Sequence, residues 1–381
     1  MKITSRPELG RLMTFELSKE KPVHGWFWYK EGYAPEIVEW ALRDSRATDA
    51  VLDPFCGVGT TLLAAKGMGM RSIGVDASPL AAFASKTKAQ DYDAPDLQAV
   101  EAFLAKEIRP AEGTDWEFEL FSPRAAFPKR NYNEILAIRN AIEHEEGKAR
   151  DLLLLALLSI LPQASIILKD GGVLKIMKDK RALPAKEIFR RKVKRMVREL
   201  RETPVSGPEP QVFLGDARAL DMEEESAGIV VTSPPYLNNI DYSKIYGLEL
   251  SLLHMSGSEA AEMRMRAVRS FIGKRMEVGQ MPPEVGDIGY RIPIIGTYFS
   301  DMERAIMEMF RVLRPGCSAY VVVSNSVIHE THVLVDEILA EIGQRAGFSD
   351  VEIAIGAERT ADVRPQKVRT RESAVIMRKQ A

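Results

Sequence analysis

The residues best suited to chemistry stand together at Thr232-Ser233-Pro234-Pro235-Tyr236. They follow the apolar run Ala227-Gly228-Ile229-Val230-Val231, which reads as a buried strand halted by proline. Neither proline has an N–H and both fix φ, while a residue before proline is held extended. The result is a stiff turn at a strand end, with carbonyl oxygens that no helix can recruit. Ser233 and Tyr236 flank it with a hydroxyl and a flat ring. Acceptors beside a ring face suit a planar ring carrying an exocyclic –NH2. An ordinary Pro-Pro loop closing a core strand would use the same residues, so the turn needs a second feature to acquire meaning.

That feature is Asp53-Pro54-Phe55-Cys56-Gly57-Val58-Gly59-Thr60-Thr61, directly after Ala50-Val51-Leu52. A short strand runs into a Gly-x-Gly turn, which opens a helical run from Thr60 to Gly69. Glycines let the backbone approach a ligand closely. The helix start, with Thr60 and Thr61, offers N–H and hydroxyl donors to a carboxylate or phosphate. A second strand, Arg71-Ser72-Ile73-Gly74-Val75, ends in Asp76, 23 residues beyond Asp53. An acid roughly 20 residues on is where a Rossmann-like unit holds ribose hydroxyls. Strand, Gly-x-Gly, helix, strand and acid in this order indicate a nucleoside-containing cofactor. The third glycine of the dinucleotide fingerprint is absent, which counts against NAD or FAD.

Together the two segments resemble the amino-methyltransferases that modify nucleic-acid bases. The resemblance implies S-adenosylmethionine (SAM) as cofactor and the N4 amine of cytosine or the N6 amine of adenine as acceptor. In that family the first motif binds SAM and the [Ser/Asn/Asp]-Pro-Pro-[Tyr/Phe] motif is catalytic. Ser in first place, here Ser233, is most frequent in the N4-cytosine branch. More diffuse similarity to DNA modification methylases covers Trp28 to Tyr33, Gly215 to Arg218, and Arg371 to Arg378. By this resemblance Asp53, Phe55, Gly57, Gly59, Thr60 and Thr61 cradle the methionine end. Asp76 takes the ribose and Asp216 the adenine amine, while Lys30 and Tyr33 belong to a strap on the carboxylate side.

The chemistry is mainly one of orientation. A base amine is a poor nucleophile because its lone pair is delocalised, whereas the sulfonium methyl is strongly activated. Ser233 and the Pro234 carbonyl can accept the amine protons and aim the nitrogen lone pair, with Pro235 stiffening the turn and Tyr236 stacking on the base. Inside a duplex the base is out of reach, so it is flipped or single-stranded. Asp241 and Tyr242 lie just beyond and are candidates for the pocket wall. C5-cytosine methylation would need a nucleophilic cysteine. Cys56 lies in the cofactor turn and Cys317 follows a Pro-Gly, so neither fits. His329-Glu330-Thr331-His332 lacks further ligands and reads as a surface pair, so no metal is expected. N6-adenine methylation, RNA base methylation and a catalytically silent nucleic-acid-binding homologue are the competing readings. Intact Gly57, Gly59, Ser233 and Tyr236 argue against the last.

Two cysteines imply no disulfide framework, and a reducing, cytoplasmic setting without a leader or membrane span is expected. The apolar run Leu152 to Leu168 is interrupted by Ser159, Pro162, Gln163 and Ser165, and reads as a buried helix. Net charge is −2, but its distribution is uneven. Lys169 to Glu202 holds 13 bases against 5 acids, net +8, with Arg190, Arg191 and Lys194 in the densest part. Glu358 to Lys379 holds 7 against 3, net +4. Such clusters are the footprint of phosphate contacts, or else solvated helix faces. The expected partner is DNA, with RNA second and a restriction endonuclease counterpart implied by the resemblance. No oligomeric state is legible.

The element order predicts an α/β fold: a Rossmann-like, doubly wound, mostly parallel seven-stranded sheet with a helical insertion. Residues 1–90 and 211–381 supply the catalytic domain, and 91–210 a basic helical insertion suited to substrate recognition. Expected elements include a helix from Tyr298 to Leu313 ended by Arg314-Pro315-Gly316, a strand from Tyr320 to Ser324, and a helix from Val333 to Ala346. Final strands near Val351–Ile355 and Ala374–Met377 complete the sheet. The resemblance implies that the last strand is inserted antiparallel. Ser256 to Ile295, with Arg264, Arg266, Arg269, Lys274 and Arg275, is a candidate loop over the target base.

Overall fold

The computed structural model describes residues 1–45, 50–108, 116–117, 122–170, 172–238, 240–253, 263, 267–269, 280–363 and 366–381. Its strands are β1 Lys2–Ser5, β2 Val51–Asp53, β3 Ser72–Asp76, β4 Ile167–Asp170, β5 Val173–Ile176, β6 Gln211–Leu214, β7 Ala227–Thr232, β8 Leu313–Ser324, β9 Ser326–Ile328, β10 Thr331–Val333, β11 Asp350–Val363 and β12 Gln366–Arg378. The longer helices are α1 Pro35–Ser45, α2 Thr60–Gly67, α3 Pro79–Ala89, α4 Ala94–Ala105, α5 Lys129–Ile142, α6 Gly147–Ala164, α7 Ala185–Glu202, α8 Pro293–Val312 and α9 Val335–Ala346.

The main sheet has the order β1-β11-β12-β8-β7-β2-β3-β6. Every neighbouring pair is parallel except those of β12, which runs antiparallel to both β11 and β8. The expected mostly parallel sheet with an antiparallel insert is therefore present, enlarged from seven strands to eight. The extra strand is β1, which pairs with β11 from Lys2↔Glu352 to Ser5↔Ile355 and covers an edge that would otherwise stand bare. The central strands are uniformly apolar because both faces are covered. On one face Ile37, Val38, Ala41 and Leu42 of α1 meet Val51, Ile229 and Val231. On the other, α8 presents Tyr298, Met302, Ala305, Ile306 and Met309 at helical spacing to Val230, Ala319 and Val321.

Several boundaries differ from the sequence reading. Helix α8 starts at Pro293 rather than Tyr298, because proline serves well in a first turn. Arg314-Pro315-Gly316 does not separate helix from strand but forms the irregular start of β8. There the register with β7 slips between Ala227 and Ile229, a place where a residue without an N–H is tolerated. Val333 belongs to β10, and helix α9 begins at Val335. Strands β11 and β12 are far longer than Val351–Ile355 and Ala374–Met377.

The stretch 91–210 is not wholly helical. Helix α6 ends at Ala164, so Leu168 of the apolar run lies instead on the β4–β5 hairpin. The core of this stretch, built on Leu152 to Leu161, is continuous with Val23 and Trp26 of the N-terminal strap and with Val58, Leu63 and Leu80 around the Gly-x-Gly turn. No described helix is long and apolar enough to cross a membrane.

Candidate active site

Strands β2 and β7 are neighbours, paired in parallel at Val51↔Ile229 and Leu52↔Val230, so their carboxyl ends emerge side by side. That adjacency brings Asp53 and the Ser233–Tyr236 turn together from 180 residues apart, at the sheet edge where open α/β folds place ligands. Between them lies a cleft enclosing about 1100 Å³ of space free of protein atoms, part of it open to solvent.

The loop after β2 turns sharply because Gly57 and Gly59 adopt positive φ, +50° and +81°. Gly57 faces the cleft, where a Cβ would be strained by its φ. Gly59 does not line the cleft. It caps α2, and a Cβ there would come within 2.5 Å of Ser85 Oγ on α3. Its role is close packing of loop on helix. Lys88, also on α3, is buried and donates from Nζ to the Val58 carbonyl at 2.8 Å; burial depresses its pKa to about 7. Nothing in the spacing of α3 singles out this lysine.

Asp53 is almost wholly buried and is held by its own chain. Its Oδ1 accepts from Thr232 Oγ1 at 2.6 Å and from the Phe55 N–H at 3.1 Å. Its Oδ2 accepts from Thr61 Oγ1 at 2.5 Å and from the Tyr33 hydroxyl at 3.3 Å. Thr61, expected as a ligand donor, is thus committed to this network and does not line the cleft. Thr232 ties the two motifs together directly. Thr232→Val should lower unfolding stability by about 1–2 kcal/mol, since it removes one of the two donors to a buried carboxylate oxygen. A urea midpoint equal to that of the wild type would show that the bond contributes nothing.

Asp76 ends β3 at the cleft. Its Oδ2 accepts from the Gly57 N–H at 2.9 Å and its Oδ1 from the Ser78 N–H at 2.8 Å. Each oxygen keeps a lone pair for a ligand. Burial pushes both Asp53 and Asp76 up to about 6, although their hydrogen bonds pull the other way. Glu31 is raised by burial too; it lines the cleft and accepts from the Tyr246 hydroxyl at 2.8 Å. The described lining holds four acids, Glu31, Asp53, Asp76 and Asp241, and no Lys, Arg or His. Such a cleft favours a cationic ligand and disfavours a pyrophosphate.

The strap was only partly legible. Tyr33 is buried against Asp53 and Thr61, but Lys30 is exposed and lies off the cleft. Its neighbours Tyr29 and Glu31 are there instead. Tyr29 is held by stacking on Tyr246, with ring centroids 4.8 Å apart. Asp216 is likewise absent from the lining. Its carboxylate is held by Arg218, Nε at 2.9 Å and Nη2 at 2.7 Å, and Ala217 faces the cleft in its place.

All four residues of Ser233-Pro234-Pro235-Tyr236 line the cleft. Ser233 Oγ is buried and meets no hydrogen-bond partner among the described residues. Tyr236 lies close enough to sense that hydroxyl, yet the pair falls outside hydrogen-bond geometry. Asp241 and Tyr242 are also on the wall. Asp241 accepts from the Ser243 N–H and hydroxyl, and burial drives the Tyr242 phenol upward. Of the variable segment, Met263, Ala267 and Val268 reach the cleft, and Arg269 is pinned to buried Asp301 at 3.1 Å. Arg264, Arg266, Lys274 and Arg275 lie outside the described residues.

Arg190, Arg191 and Lys194 are on α7 and do not line the cleft. Much of that helix's charge is balanced locally. Arg191 pairs with Glu187 at 3.5 Å, Arg195 with Glu199 at 2.6 Å, and Arg201 with Glu101 at 2.8 Å. Glu199 also receives the Trp26 indole N–H, at 2.8 Å, and fastens the strap to α7.

Comparison with known proteins agrees with this arrangement. A family model described as DNA methylase matches residues 36–85, which include the Gly-x-Gly loop and Asp76. The chain is similar to the type II methyltransferase M.BsoBI of Geobacillus stearothermophilus, 24% identical over 417 residues, 90% of this chain and 82% of that protein. It is equally similar to the type II methyltransferase M.AvaI of Nostoc sp., 24% identical over 91% of this chain and 83% of that one. A shorter match to the type II methyltransferase M.MjaII of Methanocaldococcus jannaschii reaches 40% identity over 86 residues, 22% of this chain and 16% of that protein. The DNA methylase match thus falls on the Gly-x-Gly loop and Asp76, and over about nine-tenths of its length the chain is similar to type II methyltransferases.

Proposed function

We propose that the chain methylates the exocyclic N4 amine of cytosine in DNA, and that the turn at Ser233 orients this amine. The observation that carries the reading is the Ser233 hydroxyl, buried in the cleft without a partner among the described residues. An orphaned buried polar atom is costly unless a ligand completes it. An amine proton from the base would do so, with the Pro234 carbonyl taking the second. Both acceptors sit where positive charge grows on nitrogen during transfer, which stabilises the transition state. Tyr236 offers a face for stacking. The Tyr242 hydroxyl serves as donor to the ring nitrogen beside the amine. The preference for cytosine rests on serine, rather than Asp or Asn, at position 233.

The residues present fit SAM. When bound, SAM supplies an electrophilic methyl on a sulfonium. Asp76 would accept from ribose hydroxyls, with Gly57 leaving room for the ligand and holding the carboxylate through its N–H. Phe55, Ala217 and Val268 provide apolar walls for a purine. Asp53, Glu31 and Thr60 surround the amino-acid end, and the acidic lining suits its cationic centres.

This electrostatic fit has a pH signature. Asp53 and Asp76 bind protons more tightly when folded than the ordinary value of 3.8. Their contribution to stability is thus fully present below that value and is lost as pH rises through about 6. Cation binding runs the other way, because it needs the ionised acids. SAM affinity should fall about tenfold per pH unit below 6 for each acid that must first lose its proton, and level off above. Calorimetric titrations giving one affinity on both sides of pH 6 would remove Asp53 and Asp76 from that role.

The function is tested by incubating the protein with methyl-labelled SAM and duplex DNA, then analysing nucleosides by mass spectrometry. N4-methylcytosine is expected. N6-methyladenine alone would overturn the base assignment and keep the site, and methyl transfer confined to RNA would overturn the DNA assignment.

A further inference from the structure

Strands β11 and β12 continue well past the sheet they belong to. β1 leaves β11 at Ser5↔Ile355, and β8 leaves β12 at Ser324↔Glu372. The two strands then pair with each other alone, from Glu358↔Arg371 to Val363↔Gln366. Six residue pairs make a free-standing ribbon roughly 20 Å long. An isolated two-stranded ribbon is poorly stabilised by itself. This one buries little of its own described surface, since Glu358, Arg359, Thr360, Lys367 and Arg369 are all exposed.

The ribbon points toward the chemistry. It departs at the carboxyl end of the parallel strands, because β12 runs antiparallel and enters the sheet there. The pairing Thr232↔Val321↔Val375 fixes the level of the catalytic turn, and Glu372 lies three residues beyond it. Arg359 donates to Glu372 at 2.9 Å, and both charges act on Tyr236. The base of the ribbon is rigid. A register shift between Ile355 and Ala357 marks a bulge at Gly356, where a Cβ would come within 2.7 Å of Met13 Sδ. Arg371 anchors the other strand to Asp336 at 2.7 Å and to Glu337 at 2.6 Å.

Its charge is that of an element that binds a polyanion. Residues 357–371 hold five bases, Arg359, Arg364, Lys367, Arg369 and Arg371, against Glu358 and Asp362, net +3; Arg359 and Arg371 are ion-paired at the ribbon's base, which leaves Lys367 and Arg369 as its outward charge among the described residues. The Arg369 side chain is 84% exposed and only loosely paired with Glu358, at 3.9 Å. A two-stranded ribbon also matches the width of the DNA major groove, about 12 Å.

From this placement we infer that the β11–β12 ribbon is a DNA-docking element, with Lys367 and Arg369 contacting duplex phosphates beside the base held at Ser233. The inference rests on the reading of the cleft as a DNA methylation site. It adds a DNA contact to the one the basic charge of helix α7 offers.

The experiment compares wild type with the double variant Lys367→Ala/Arg369→Ala. Fluorescence anisotropy with sheared mixed-sequence duplex DNA is recorded over a salt series, and SAM affinity and DNA methylation are measured alongside. The variant should bind duplex about tenfold more weakly near physiological salt, with the log–log salt slope reduced by roughly two. Its SAM affinity should be unchanged, and Lys367→Arg should bind DNA like the wild type. If the alanine pair loses SAM binding, the milder pair Lys367→Gln/Arg369→Gln carries the same test. Unchanged duplex affinity and slope, in a variant that still binds SAM, would overturn the ribbon's role while leaving the cleft assignment standing. A wild-type protein that neither binds nor methylates duplex DNA would overturn both.

Discussion

Replacing Ser233 with alanine should cut methyl transfer to DNA by about 10²–10³-fold, as loss of one preorganised polar group does at other charge-developing centres. SAM affinity should stay within about twofold of wild type if the hydroxyl serves the acceptor, as proposed, and not the donor. The magnitude follows from burial. Ser233 Oγ has no partner to lose among the described residues, so its removal costs the fold little. The whole effect should therefore appear in turnover. Single-turnover kinetics with labelled SAM separate the chemical step from product release. Turnover near wild type would remove Ser233 from the mechanism. A loss of SAM binding of the same size would instead make the turn part of the cofactor site.

Asp76→Ala should produce the complementary result, weakening SAM binding by about 100-fold or more. Hydrogen bonds to a charged group are each worth about 1.5–3 kcal/mol, and the ribose offers two hydroxyls. The substitution also leaves the Gly57 N–H without its 2.9 Å acceptor, which loosens the loop that the cofactor lies against. Asp76→Asn keeps the shape and one acceptor, so it should recover part of the affinity. Calorimetry on both variants checks the order. Equal affinity in Asp76→Ala and wild type would place the ribose elsewhere in the cleft.

The two motifs were legible because each is local. Two prolines, a serine and a tyrosine at a strand end have covalent consequences that no tertiary context changes, and the same holds for glycines that need positive φ. What joins the motifs was hidden, because it acts across long separations. Thr232 bonds Asp53 across 179 residues, and Thr61 and Tyr33 close the other side of the same carboxylate. Thr61 and Gly59 were correctly placed in the loop but face the protein rather than the cleft. For Asp216 the Gly-Asp pattern marked the right strand end, but Arg218, two residues on, has captured the carboxylate. The local pairing of the basic run on α7 was hidden for a related reason. A count of charges does not register acids one turn away or one helix away, and Glu187, Glu199 and Glu101 occupy those positions. The length of β11 and β12 was invisible because Glu358, Arg359, Thr360, Lys367 and Arg369 are exposed there and the sequence lacks the alternation that marks a half-buried strand.

In the proposed function the Gly-x-Gly loop and the Pro-Pro turn serve a single cleft with donor and acceptor side by side. A crystal structure with SAM or its demethylated product tests it most directly. The ribose hydroxyls should lie within hydrogen-bond distance of Asp76, and the sulfur should face Ser233, leaving space for a base amine about 3–3.5 Å from the methyl position. A ligand bound with its ribose away from Asp76, or with its sulfur turned from the Ser233–Tyr236 turn, would contradict the account.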